Sequence, residues 1–133
     1  MYIRWNAVLC RMVRAAAVIP VVACTCAWSA PKASAFAAIA MSECGRWGYS
    51  HGYGNKSDAW ARAIRQCGAR DCKIAVDVNR ACGAVAMDSA SRCGAKGFGA
   101  AHTRAEAERI ALASCARYGG KKCTLRAWVC DGR

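Results

Sequence analysis

A duplication at a spacing of about 48 residues, with cysteines in register, is the feature that most restricts how this chain can fold. The Ala37-Ala38-Ile39-Ala40-Met41 run opens one copy, and Gly83-Ala84-Val85-Ala86-Met87 opens the next. A shift of 48 positions carries Asn55 onto Thr103, Asp58 onto Glu106, Ile64 onto Leu112 and Cys67 onto Cys115. Cap, apolar face, closing cysteine and following strand recur in the same order, the signature of a repeated supersecondary unit.

The local signals in each copy agree. Phe36 to Met41 is a short apolar run suited to a buried strand, Ser42 to Arg46 a turn, and Trp47 to His51 a returning strand. Asn55 is a helix N-cap, Asp58 a favourable first-turn charge, and Gly68 a stop. Trp60, Ala63, Ile64 and Cys67 stand at i, i+3, i+4 and i+7, so the expected buried helix face carries all four. Ile74, Val76 and Val78 then alternate with Lys73, Ala75 and Asp77 as a half-buried strand. In the second copy, Thr103-Arg104-Ala105-Glu106 reads as a capping box, and Leu125, Ala127 and Val129 repeat the alternation. The fold class is therefore α+β: two pseudo-symmetric ββαβ repeats, 36–82 and 83–133, forming antiparallel sheet with two helices and stapled by disulfides.

Residues 1–35 read as a leader. Arg4, Arg11 and Arg14 precede an apolar stretch from Ala15 to Trp28, and Ala33-Ser34-Ala35 has the small-x-small pattern of a cleavage site. The stretch is short for a membrane span, so a secretory signal peptide and a domain of residues 36–133 with no transmembrane span are expected. Val21-Val22-Ala23-Cys24 also resembles a lipobox, whose use would anchor the protein through Cys24. Either route places the domain in the periplasm or outside the cell.

Eight of the eleven cysteines lie beyond the leader, an even number as a disulfide framework requires. Cys67 and Cys72 flank one helix-to-strand turn, and Cys115 and Cys123 flank its repeat. Each pair would tie a helix end to the next strand. Cys82 and Cys130 lie at corresponding strand ends and would join the halves. Cys44 and Cys93, in the two hairpin turns, remain as the last pair.

The order Asp71-Cys72-Lys73, Ala81-Cys82-Gly83-Ala84-Val85-Ala86, Thr103-Arg104-Ala105-Glu106-Ala107-Glu108 and Ala127-Trp128-Val129-Cys130 resembles the bacterial exported domain-of-unknown-function family 4189. The likeness runs from Phe36 to Cys130. It implies an exported, disulfide-containing α+β domain of sheet and two helices, and it supplies no catalytic residues. Cys44 and Cys93 stand outside that family's usual cysteine set.

Chemistry-bearing patterns are sparse. The spacing Cys67-x4-Cys72 is close to that of a zinc site, whereas Cys115-x7-Cys123 is not, so no metal is expected. There is no nucleophile elbow, no Cys-x-x-Cys beyond the leader, and only two histidines, His51 and His102. Glu108 takes the place that Trp60 holds in the first copy; a hydrolase would need it beside a histidine. No catalytic residue and no cofactor are assigned, and the domain is read as non-enzymatic.

Charge is the stronger signal. Residues 36–133 hold sixteen lysines and arginines against eight acids, a net charge of +8. Such a field favours anionic partners: an envelope component or an acidic protein. Arg117, Lys121 and Lys122, beside Gly119-Gly120, form the candidate anion-binding loop. Trp47, Tyr49 and Tyr53 form a candidate aromatic contact. The expected function is a binding module of the periplasm or exterior, with a secreted effector or toxin as the alternative.

Overall fold

A computed structural model describes residues 35–131; residues 1–34 of the expected leader, Cys24 among them, lie outside the described residues. The elements run β1 (Phe36–Met41), β2 (Trp47–Tyr53), α1 (Lys56–Cys67), β3 (Lys73–Asn79), β4 (Cys82–Asp88), β5 (Lys96–Ala101), α2 (Arg104–Arg117) and β6 (Cys123–Cys130). They form two antiparallel three-stranded sheets, ordered β2-β1-β3 and β5-β4-β6. The ββαβ unit is therefore complete within each sheet, and the duplication is one of whole sheet-plus-helix halves.

Period-2 geometry explains the layers. On β1, Ala38 and Ala40 face α1 and meet Ala63 and Cys67, while Ala37, Ile39 and Met41 face the other way. On β4, Ala84 and Ala86 meet Ala107, Ala111 and Cys115 of α2, while Val85 points inward. Between the sheets, Ile39, Val76, Val78, Val85, Ala127 and Val129 make the central core. The stack is helix, sheet, sheet, helix. Because β1 and β4 are covered on both faces, each reads as an almost unbroken apolar run.

Both helices lie very close to their sheets. A Cβ built on Gly48 would fall 2.3 Å from the Cys67 amide nitrogen and 2.4 Å from the Ala63 carbonyl oxygen. The equivalent Gly97 would meet the Ala111 oxygen at 2.0 Å and the Cys115 nitrogen at 2.2 Å. This approach selects small side chains on the helices. The buried stripes are Ala59, Ala63, Cys67 and Ala107, Ala111, Cys115, at i, i+4, i+8. Trp60 and Ile64, expected on the buried face, are half-exposed at its margin instead. Size excludes them from contact with a glycine-floored sheet.

A second difference is a repeated bulge. Ile39 pairs with Val76 and Ala40 with Ile74, leaving Ala75 over; Val85 pairs with Ala127 and Ala86 with Leu125, leaving Arg126 over. Each extra residue reverses the side-chain parity before it. Ile74 thus packs on the helix side, and Leu125 is exposed, although both alternate in sequence with core residues.

The helix caps form with one change. Asn55 Oδ1 accepts from the Asp58 amide at 2.9 Å, and Gly68 closes α1 in the left-handed conformation. Thr103 Oγ1 accepts from the Glu106 amide at 3.3 Å. The Glu106 carboxylate, however, accepts from the Arg109 guanidinium, so the reciprocal half of the expected capping box is absent. That pairing holds the Glu106 carboxyl below, and the Arg109 guanidinium above, their ordinary pKa values.

The cysteines pair as Cys44–Cys93, Cys67–Cys72, Cys82–Cys130 and Cys115–Cys123. Cys82–Cys130 differs from the expected link between the halves. Cys82 is the first residue of β4, directly opposite Cys130 on β6, so this bridge crosses two strands of one sheet and does not join the halves. The joining bridge is Cys44–Cys93, between the β1–β2 and β4–β5 turns. These cysteines hold equivalent places in the two copies. Two equivalent residues bonded to each other lie at the pseudo-twofold axis that relates them.

Candidate anion-binding surface

Arg117, the last residue of α2, and Lys121 and Lys122 in the loop after it lie at the surface, but the backbone of that loop is already engaged. Tyr118, Gly119 and Gly120 amides donate to the carbonyls of Ser114, Ala116 and Cys115. The Lys121 and Lys122 amides donate to the Asp88 carboxylate at 3.2 and 3.1 Å, and the Ala90 amide joins them at 3.0 Å. The anion that these amides hold is thus an internal one. Asp88 is only 8% exposed, and the amides of Ala90 and Lys121, helped by that of Lys122 and by its charge, outweigh burial and keep its carboxyl below the ordinary aspartate range. Any external anion at this loop meets side-chain cations alone, which removes the backbone contribution expected from Gly119-Gly120.

The first copy makes the same stitch with the polarity exchanged. There Asp71, in the α1–β3 loop, accepts from the Glu43 amide of the hairpin turn at 2.8 Å. In the second copy the acid sits on the hairpin and the amides on the loop. Asp131 ties the two sheets further, accepting from the Gly52 amide at 2.6 Å.

The aromatic candidates separate. Trp47 and Tyr49 project from the same face of β2, with ring centroids 6.1 Å apart, and are 39% and 38% exposed. His51 continues the row, stacked on Tyr49 at 6.1 Å. Tyr53 is partly buried. Tyr49 and His51 lean over a depression of ≈ 370 Å³ shared with Trp128, Val129 and Cys130. Trp128 in turn lies beneath the Arg104 guanidinium, 3.7 Å from its ring centre.

Glu108 bonds Arg104 at the helix rim, and His51 borders depressions of ≈ 150 and ≈ 370 Å³ whose lining does not include Glu108. Among the described residues no cluster of three or more His, Cys, Asp or Glu is arranged to hold a metal ion. No described helix is long and apolar enough to cross a membrane.

One grouping was not legible in the sequence. Arg46, Arg92 and Arg126, from two turns and a strand bulge, line a depression of ≈ 260 Å³ with Cys44, Gly45 and Met87. No periodicity links them; only their nearness to the two hairpin cysteines and to the bulge could have suggested it.

Fold and surface together define a class: a small duplicated α+β domain, closed by four disulfides suited to an oxidising environment, with an excess of surface cations. The chain belongs to the family described as a domain of unknown function (DUF4189), whose model matches residues 36–130. It is 35% identical over 99 residues to Protein Rv1269c of Mycobacterium tuberculosis, covering 74% of this chain and 72% of that one. Protein Mb1300c of Mycobacterium bovis matches to the same extent. The NMR structure of Rv1813c from Mycobacterium tuberculosis shares the fold, with a TM-score of 0.54 at 24% identity over 96% of this chain and 98% of that one.

Proposed function

We propose that this protein is a non-enzymatic binding module of the periplasm or cell exterior whose partner is anionic. The observation that carries this reading is how the charges are used. Seven of the eight acids are engaged inside the fold. Asp77, Glu106 and Glu108 are in ion pairs; Asp58, Asp71, Asp88 and Asp131 accept hydrogen bonds. Of the fifteen lysines and arginines from Arg46 to Arg126, only Lys56, Arg104 and Arg109 are in ion pairs among the described residues. Negative charge is spent on local structure while positive charge is left facing water. Such an exterior steers anions toward it.

The test is a titration with salt of binding to vesicles, acidic glycans and acidic proteins. Screening shortens the reach of surface charge to about 10 Å at 0.1 M salt, so affinity should fall steadily with ionic strength. Binding that is indifferent to salt, or the absence of any anionic partner, refutes the reading.

A further inference from the structure

We infer that the depression over the Cys44–Cys93 bridge is a site for a phosphate group, held by the guanidinium forks of Arg92 and Arg126. The inference rests on the anionic-partner reading and gives it an address.

Three arginine residues and no acid line this depression. Arg92 sits in the β4–β5 turn beside Cys93, and Arg126 is the unpaired residue of the β6 bulge. A bulge re-aims the side chain it carries. Arg46 borders the same space, but its guanidinium passes 3.1 Å from where a Gly68 Cβ would stand, at the C-terminus of α1. It adds positive charge at the rim, while Arg92 and Arg126 line the depression from the other turn and from the β6 bulge. None of the three is in an ion pair among the described residues. Of the nearby acids, Asp88 is held by three backbone amides, and Glu43, the one acid outside the ion pairs and hydrogen bonds above, borders a different depression.

The floor is rigid and largely apolar. Gly45, with φ +85°, rests on Met87 and on the Arg92 carbonyl; a Cβ there would fall 2.7 Å from the Met87 sulfur and 3.3 Å from that oxygen. The disulfide fixes the same two turns covalently. Cations drawn together this way repel one another unless an anion lies between them. Guanidinium groups present paired N–H donors that match tetrahedral oxyanions, and they do so best over a surface that water wets poorly. A phosphate group, free or on a lipid headgroup, has that chemistry.

The experiment uses the full, disulfide-intact chain with inorganic phosphate, and with phosphatidylcholine vesicles with and without phosphatidic acid. Arg92→Gln and Arg126→Gln should each weaken binding about tenfold, and Arg92→Lys should weaken it too, because a lysine keeps the charge but loses the fork. Arg62→Gln and Arg65→Gln, on exposed positions of α1, should change it less than twofold. Saturable phosphate binding with this pattern assigns the free anion; the pattern on phosphatidic acid vesicles alone assigns the headgroup. If the α1 variants weaken binding as much as Arg92→Gln does, the site is refuted while the general electrostatic reading survives. If neither probe binds the wild-type chain, the inference is refuted; the wider reading then depends on its own glycan and acidic-protein arms.

Discussion

Replacing Gly97 by alanine tests the contact on which each half is built. The added carbon would sit 2.0 Å from the Ala111 oxygen, 2.2 Å from the Cys115 nitrogen and 2.9 Å from the Cys115 Cα. All three obstacles are helix backbone, so no side chain can swing aside. Restoring an ordinary carbon contact of about 3.5 Å requires α2 to retreat by more than 1 Å. The helix is held at this same end by Cys115–Cys123, and its buried stripe has no slack. Overpacking typically costs about 1–3 kcal/mol where side chains can adjust, which puts this site at about 3 kcal/mol or above. The reference is Gly52→Ala, where φ is +75° and nothing lies within 4 Å. That change meets backbone strain alone, about 1 kcal/mol. Both variants stiffen the unfolded chain alike, so this contribution cancels in the comparison. The remaining gap of about 2 kcal/mol corresponds to about 8–16 °C in Tm for a domain of this size. Thermal unfolding followed by circular dichroism, with all disulfides intact, reads it. Equal Tm values for the two variants would show that the helix rides freely over the sheet and would refute the argument, as would a benign Gly48→Ala.

Ser50 lies where the second copy has Gly99, and its hydroxyl is the one buried side-chain polar atom without a partner among the described residues. Ser50→Ala keeps the Cβ and removes the orphan oxygen, so it should stabilise by about 1 kcal/mol in urea unfolding; a loss of stability would reveal a hidden partner. The lowered pKa of Asp88 means that the folded state binds its proton less readily than the unfolded chain. Its contribution is therefore present in full above the ordinary aspartate pKa and disappears as pH falls through the lower folded value. The stability gap between wild type and Asp88→Asn should accordingly shrink on acidification, and a gap independent of pH down to about 2 would refute this. Loop length ranks the bridges: separations of 49 and 48 residues for Cys44–Cys93 and Cys82–Cys130 imply about 4 kcal/mol each, against about 2 kcal/mol for the five-residue Cys67–Cys72. Serine pairs at each site, compared by denaturant midpoint, check that order. The two long bridges should still differ in one respect, since only loss of Cys44–Cys93 should weaken phosphate binding.

Much of this architecture was legible because each half uses strong local signals. The caps at Asn55 and Thr103, the glycine stop at Gly68 and the apolar runs of β1 and β4 all appear where the residues place them. What escaped was set by proximity. Hydrophobicity ranks Trp60 and Ile64 above Ala59, yet the close approach at Gly48 sets Ala59, Ala63 and Cys67 against the sheet. The bulges at Ala75 and Arg126 reverse parity without any glycine or proline to announce them. Cys82 and Cys130 read as a link between halves only if the first repeat ends at Cys82, whereas β4 begins at that residue. At the candidate anion site, the cationic side chains were visible, whereas the occupation of their amides by Asp88, 33 and 34 residues away, was not.

The position of the joining bridge connects the fold to the surface it offers. Near the axis of a duplicated domain, the two hairpin turns face each other, and charges on either turn are brought close whatever their separation in sequence. Without a cross-link, repulsion between the cationic turns would favour their parting, and the adjoining Gly45–Met87 contact would open with them. Cys44–Cys93 opposes this from outside the apolar core, since both cysteines are exposed. Its free energy therefore acts on the geometry of the turns more than on the burial of the sheets. Cys82–Cys130, closed within one sheet, constrains a loop of nearly the same length without touching that geometry. Two bridges of equal chain entropy thus do different work: one holds a sheet together, and the other keeps like charges near each other against their own field.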